Sequence, residues 1–284
     1  MGISMADILT KILDTKRLEV EDARRRVPEE SLEVLAESAP GRRGFLERLS
    51  RPGPCGVNII AEIKRGSPSL GTILDNLDPE NLARCYEHGG AVALSVLTDR
   101  TYFQAAAGDL ARARAAVRLP VLRKDFIVST YQVYESAVMG ADAVLLIVRA
   151  LSPALLQSCL DLCGRLNLDA LVEVHSEEEL DLASEAGARI IGINNRDLAT
   201  FRTDIRKSVN LARKLVPGQI AVAESGIHER AQVETLLDAG IRNFLIGESL
   251  VRSVDPSAFL RYLCGLPADH DPEFKGNPGS NPAE

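Results

Sequence analysis

Short apolar runs alternate with amphipathic stretches along most of this chain, and few polar residues interrupt the runs. They fall near 57–64 (VNIIAEIK), 91–98 (AVALSVLT), 120–125 (PVLRKD), 141–148 (ADAVLLIV), 169–175 (DALVEVH), 189–194 (RIIGIN), 219–225 (QIAVAES) and 242–247 (RNFLIG). Near-continuous apolar segments of this length predict parallel strands buried on both faces. Helix signals lie between them. Asp78-Pro79 sets a cap before a first-turn proline, and Ser176 with Glu179 predicts a capping box. Gly90, Gly140, Gly187 and Gly240 stand where helices should end just ahead of the next strand. Their spacing of about fifty residues fits two strand–helix units per interval. Eight such units close most naturally into an α/β fold, a (β/α)8 TIM barrel spanning 51–264.

The two ends follow other patterns. Residues 1–50 precede the first strand and read as helices, with Met5, Ile8, Leu9 and Ile12 spaced along one apolar face. SLEVLAESA and GFLERLS predict further short helices, so 1–50 is expected to be a helical extension packed on the barrel. The tail, 265–284, is polar and rich in Pro and Gly, which predicts a flexible segment.

Composition narrows the function. A chain of 284 residues with 45% hydrophobic residues can bury a sizeable core. A net charge of -7 argues against nucleic-acid partners, which need a basic surface, but leaves room for a small phosphorylated ligand. No apolar run reaches membrane-spanning length, and the amino terminus lacks the apolar core of a secretory signal. Five scattered cysteines, an odd number, suit a reduced cytoplasmic protein. Cys159 and Cys163, one turn apart without neighbouring ligands, read as helix packing and not as a metal site. Self-association into a homo-oligomer is left open.

Charge then interrupts the strands in a regular place. Because strand side chains alternate, Ile60, Glu62 and Lys64 share a face, as do Leu122 and Lys124, Leu171 and Glu173, and Val222 and Glu224. On the sixth strand Gly192 and Asn194 share a face, with Arg196 just beyond. A buried Lys or Glu is costly unless paired or functional. An ion pair or a helix-facing charge would explain any one of them. Five strands bearing polar groups near their carboxyl ends predict instead one pocket at the top of the barrel. Ser225-Gly226 after the seventh strand and Gly247-Glu248 after the eighth predict a phosphate cradle, where backbone N–H groups and a helix start meet an anion. Ser67, in the loop RGSPSLG, is either a further donor or part of a plain turn.

The segments AEIKRGSPSLG, LSVLTDRTYF, LPVLRKDFIV, ALVEVH, IGINNRDL, VAESGI and FLIGESLV, in this order, resemble indole-3-glycerol-phosphate synthase over about residues 5–262. Two places depart from that pattern: Leu70 stands where many relatives carry Lys, and Ala105-Ala106 where they carry Gly-Ser. The resemblance implies ring closure, decarboxylation and dehydration of 1-(2-carboxyphenylamino)-1-deoxyribulose 5-phosphate, with no cofactor and no metal. It implies Lys124 as the general acid and Glu173 as the partner carboxylate. Lys64 contacts substrate, and its part in dehydration stays open. Glu62, Glu224, Asn194 and Arg196 orient and bind, and Phe103 encloses the aromatic ring. Ser67, Ser225, Gly226, Gly247 and Glu248 hold the phosphate. His175 shares a face with Glu173 but is expected at the surface or in a supporting position. Two other activities remain on the same fold: a phosphoribosyl isomerase, and a barrel that binds a phosphorylated metabolite without turnover.

Overall fold

A computed structural model describes residues 5–39, 41–68, 71–74, 76–197 and 202–267. Eight parallel strands form a closed barrel in which each strand pairs with its neighbours in sequence and the last pairs with the first. They are β1 (Asn58–Ile63), β2 (Ala93–Leu97), β3 (Val121–Lys124), β4 (Ala143–Ile147), β5 (Asp169–Val174), β6 (Ile190–Asn194), β7 (Ile220–Glu224) and β8 (Asn243–Ile246). The predicted TIM barrel is therefore the observed fold. A short antiparallel hairpin, 66–67 with 71–72, occupies the loop after β1 and was not visible as a strand pattern in RGSPSLG. Leu70 lies outside the described residues, as does the tail from residue 268. Among the described residues no helix is long and apolar enough to cross a membrane.

Strand parity divides the core into two layers. Ile60, Leu122, Leu145, Leu171, Ile190, Val222 and Leu245 fill the barrel interior, while Ile59, Val121, Val144, Val172 and Ile191 face the surrounding helices. Gly90, Gly140, Gly187 and Gly240 all take the left-handed conformation that ends a helix, with φ between 81° and 94°. Asp78 accepts from the Glu80 amide at 3.1 Å and Pro79 opens the helix Pro79–His88. The predicted capping box at Ser176 is only half made. Ser176 accepts from the Glu179 amide, but the Glu179 carboxylate accepts from His175 N at 2.8 Å instead of from Ser176 N.

The helices ahead of β1 wrap the barrel from top to bottom. The first, α1 (Met5–Arg26), crosses the carboxyl-terminal mouth, where Lys16 pairs with Asp99 and Asp125 just beyond β2 and β3. The second, α2 (Glu29–Glu37), runs beside the helix Thr130–Val138, burying Leu32 and Ala36. The third, α3 (Phe45–Ser50), closes the opposite end, where Phe45 and Leu49 join the interior cluster beneath Ile60 and Ala93. Two buried or half-buried carboxylates at strand starts fix the approach: Asp142 accepts from Arg43 N and Asp169 from Leu46 N, each at 2.8 Å. With the bottom plugged, the only route inward among the described residues is from the top.

Candidate active site

The interior layer decides where the chemistry sits. Two residues above the apolar layer formed by Ile60, Leu122, Leu171 and Val222, the same strands present Glu62, Lys124, Glu173 and Glu224 to the mouth. A cavity of about 230 Å³ opens there, and all thirteen residues expected in the site line it: Glu62, Lys64, Ser67, Phe103, Lys124 and Glu173 on one part, Asn194, Arg196, Glu224, Ser225, Gly226, Gly247 and Glu248 on the other.

Lys124 is the centre of the charge network. Its Nζ lies 2.9 Å from Glu224 Oε2 and 3.2 Å from Glu173 Oε2. Lys64 Nζ pairs with Glu62 Oε1 at 2.9 Å. Asn194 donates to Glu173 Oε1 at 3.3 Å and accepts from Arg196 N at 3.0 Å. Two glycines make room for the acids. A Cβ on Gly192 would overlap Glu224 Oε1, and one on Gly247 would overlap Glu62 Oε1. The small inward residues on β6 and after β8 are therefore the complement of the long inward residues on β7 and β1.

Burial opposes charge on all three central groups, and the outcome differs for each. For Lys124, burial lowers the proton affinity, but Glu224, Glu173 and Glu62 outweigh it and hold the ammonium well above the ordinary lysine value. For Glu173, burial raises the carboxyl, but Lys124, His175 and the Asn194 amide bring it below the usual carboxylate range. For Glu224, burial dominates: Lys124 pulls down, Glu173 and Glu62 push up, and the net shift is upward. Environments that drive neighbouring carboxyls apart are a recurrent way of assigning different proton roles to like groups. Here Glu173 is the carboxylate held ionised.

The far side of the cavity is suited to an anion. Ser225 and Gly226 take consecutive left-handed conformations, φ 66° and 78°, directly after β7. Ser225 is strained there, as residues at functional sites often are. A Cβ on Gly226 would press to 2.7 Å from Thr203 Cβ. Gly247 caps the short helix Glu248–Val251, whose first amides have no partner within the helix. Ser249 Oγ donates to Ile227 O at 3.1 Å and ties the two loops together. Ser67 lies across the cavity, next to the hairpin loop.

Several lining residues were not expected. Ile8, Leu9 and Ile12 on α1 roof the mouth, and Phe126 stands with its ring centroid 5.9 Å from that of Phe103. With Leu97, Leu145 and Ile147 they form an apolar wall above β2 to β4. Arg149 and His175 also line the cavity. Of the two places expected for His175, the structure has the supporting one: its side chain is 5% exposed and its Nε2 stands 3.4 Å from Glu173 Oε1. It lies inside because the strand pleat continues one residue past β5, carrying 175 inward with 173.

Comparison with known proteins adds to this geometry. The sequence model of a family described as indole-3-glycerol phosphate synthase matches residues 9–263. The chain is 62% identical over 261 residues to a protein of that name from Syntrophobacter fumaroxidans, covering 92% of this chain and 98% of that protein. It is 48% identical over 242 residues to one from Chlorobium phaeovibrioides, covering 85% and 93%. Among solved structures, an N-acetylmannosamine-6-phosphate 2-epimerase from Clostridium perfringens is similar with a TM-score of 0.56 at 12% identity, over 74% of this chain and 93% of that one. A thiamine phosphate pyrophosphorylase from Pyrococcus furiosus gives 0.53 at 15% identity, over 74% and 94%. At such identities the two structures speak to the fold alone.

Proposed function

Because this chain belongs to the indole-3-glycerol phosphate synthase family, we propose that its barrel-mouth cluster carries out that family's reaction, with Lys124 as the proton donor in ring closure. The enzyme is a decarboxylating lyase of tryptophan biosynthesis. It converts 1-(2-carboxyphenylamino)-1-deoxyribulose 5-phosphate to indole-3-glycerol phosphate with loss of carbon dioxide and water. The observation that carries the residue assignment is the Lys124 ammonium, half-buried in the wall of the cavity within 3.2 Å of two carboxylates.

As the anthranilate carbon attacks the ribulose carbonyl, charge develops on the carbonyl oxygen, and a forming alkoxide is basic enough to take a proton from an ammonium. Glu224 and Glu173 keep Lys124 charged and aimed at that oxygen. Loss of carbon dioxide then restores the aromatic ring. Dehydration requires a base for the adjacent carbon-bound proton, and Glu173, held ionised, fills that role. Lys64, paired to Glu62, meets the anionic substrate and is the second ammonium available as the hydroxyl leaves. Asn194 and Arg196 orient the sugar, Phe103 encloses the ring, and Ser67, Ser225, Gly226, Gly247 and the Glu248 amide hold the phosphate. A cytoplasmic location suits a biosynthetic enzyme whose five cysteines are all unpaired.

The test is direct, because the chain contains no tryptophan to obscure indole fluorescence. Purified protein given the carboxyphenylamino substrate should generate product fluorescence, and Lys124→Ala should lower kcat by at least about 10²-fold while remaining folded. Near-normal turnover by folded Lys124→Ala removes the proton-donor role. Binding without turnover by the unaltered protein removes the enzymatic reading.

A further inference from the structure

His175 is a buried ring held between two carboxylates, and the proton chemistry described above makes no use of it. Its Nε2 faces Glu173 Oε1 and its Nδ1 faces Glu179 Oε2, each at 3.4 Å. Both flanking groups are acceptors, and each ring nitrogen stands at ion-pair distance from one of them without completing a hydrogen bond, so a small turn of Glu173 or of the ring would bring an N–H onto the carboxylate. The outer carboxylate is firmly anchored. Glu179 Oε1 accepts from Arg149 Nε at 2.9 Å and lies 2.7 Å from the other guanidinium nitrogen, while Oε2 accepts from His175 N at 2.8 Å. The ring is thus braced from outside the barrel by a helix start and a guanidinium, with its inner edge toward the site.

We propose that His175 is a positioning residue for Glu173, fixing the orientation of its Oε1 while Lys124 fixes Oε2. This rests on the reading of Glu173 as the base in dehydration. The groups that face this unit are Glu173 and His175 from β5 and its extension, Glu179 from the helix Glu177–Glu185, Arg149 after β4, Lys124 from β3 and Asn194 from β6. The hydrogen bond to Glu173 Oε1 comes from the Asn194 amide, at 3.3 Å, and without the imidazole this oxygen loses the polar ring edge that stands 3.4 Å away. A carboxylate with less favourable charge beside it and more space around it is both easier to protonate and freer to rotate. The same ring is among the causes that keep Glu173 low, after burial, which opposes, and Lys124. Removing it should shift the protonation of the base upward, so activity at the acid end is lost at higher pH than in the unaltered enzyme.

The experiment compares His175→Leu, His175→Gln and Glu173→Gln by steady-state kinetics across pH, with circular dichroism to confirm folding. Gln can still direct an amide N–H at Glu173, whereas Leu fills the space without a donor. His175→Leu should lower kcat about tenfold with KM within about twofold, the split expected when a transition-state contact is lost, and move the acid limb of kcat to higher pH. His175→Gln should recover most of the rate and return the limb toward its original place. Should His175→Leu not fold, His175→Ala is read by the same limb. The proposal is overturned if the limb does not move, or if Gln and Leu reduce kcat equally. Glu173→Gln separates the two readings. If it abolishes turnover while the His175 variants behave like the unaltered enzyme, only the positioning role fails; if it leaves turnover intact, the Glu173 assignment fails and the positioning role with it.

Discussion

Replacing Lys16 by Met would remove one ammonium from a place where it holds three carboxylates, and the structure allows the consequence to be sized. Lys16 Nζ lies 2.7 Å from Glu19 Oε2, 2.9 Å from Asp99 Oδ2 and 3.1 Å from Asp125 Oδ1. Glu19 is half-exposed and its share is that of a surface pair, under about 1 kcal/mol. Asp99 and Asp125 are different, with side chains 0% and 2% exposed. Met preserves the apolar stem but strands these acids, and breaking a buried pair from one side costs about 3–5 kcal/mol. Asp125 retains Arg123 at 3.1 Å and the Thr98 hydroxyl at 2.5 Å, so the lower end, about 3 kcal/mol, is expected. In a chain of this size that corresponds to roughly 6–12 °C in Tm. The pH dependence follows from the two shifts. Burial lowers Lys16, but Asp125, Glu19 and Asp99 raise it overall, so its contribution is present below the unfolded lysine value and lost only as pH rises beyond it. Burial raises Asp125, but Arg123 and Lys16 lower it overall, so its contribution is present above the unfolded value and lost as pH falls through the depressed folded one. The stability gap between the two proteins should therefore be flat from about pH 5 to 9 and narrow below about pH 4. Urea unfolding followed by far-ultraviolet circular dichroism measures it. A loss below about 1 kcal/mol at pH 7 would show that water, and not Lys16, satisfies these acids.

Two further outcomes test other parts of the molecule. Phe45→Ala, which empties the fully buried plug at the barrel bottom, should cost about 3–5 kcal/mol in urea unfolding and leave the kinetic constants of the remaining folded enzyme near normal; a large fall in kcat without a fall in stability would place Phe45 outside this structural role. Gly226→Val meets both a positive φ and the Thr203 side chain, so it should raise KM for the phosphorylated substrate more than it lowers kcat; an unchanged KM would show that the phosphate is held elsewhere.

Strand parity made the barrel and the charged ring legible in the sequence, because a period of two is rigid enough to carry a face assignment from an apolar residue to the charge two positions on. It could not reveal residues whose position is set by another element. Asp125 follows Lys124 and points out of the barrel interior by parity, and nothing local shows that a lysine from α1 will meet it. The helical period did contain a hint. Ile8, Ile12, Lys16 and Val20 recur every four residues, and Lys16 interrupts an otherwise apolar stripe, as a buried, partnered lysine would. His175 was left between two places for the converse reason. Parity puts it on the face of Glu173 at the last residue of its run, where the pattern does not show how far the pleat extends; the pleat carries it inward, and Glu179, four residues on, turns back to receive its amide. The hairpin after β1 has two residues on each side, too few for any periodic signal.

The cavity walls also explain why the barrel top is not charged all round. Of the eight strands, β1, β3, β5 and β7 contribute Glu62, Lys124, Glu173 and Glu224, whereas β2 and β4 end in Leu97 and Ile147. Those two strands flank Lys124, and above them stand Phe103, Phe126 and the apolar face of α1. An ammonium beside such a wall is poorly hydrated from that side, which strengthens its interaction with whatever charge develops in front of it. The opposite side, between β7 and β8, offers backbone amides from loops opened by Ser225-Gly226 and Gly247. On the proposed assignment, a substrate carrying an aromatic ring at one end and a phosphate at the other meets unlike walls at its two ends, which favours the one direction that sets its reacting carbons over Lys124 and Glu173. Orientation on this account is set by the unequal walls before any proton moves. The acids and lysines between them then add only part of the binding, chiefly through Lys64, and their remaining freedom lies in tuning proton transfer.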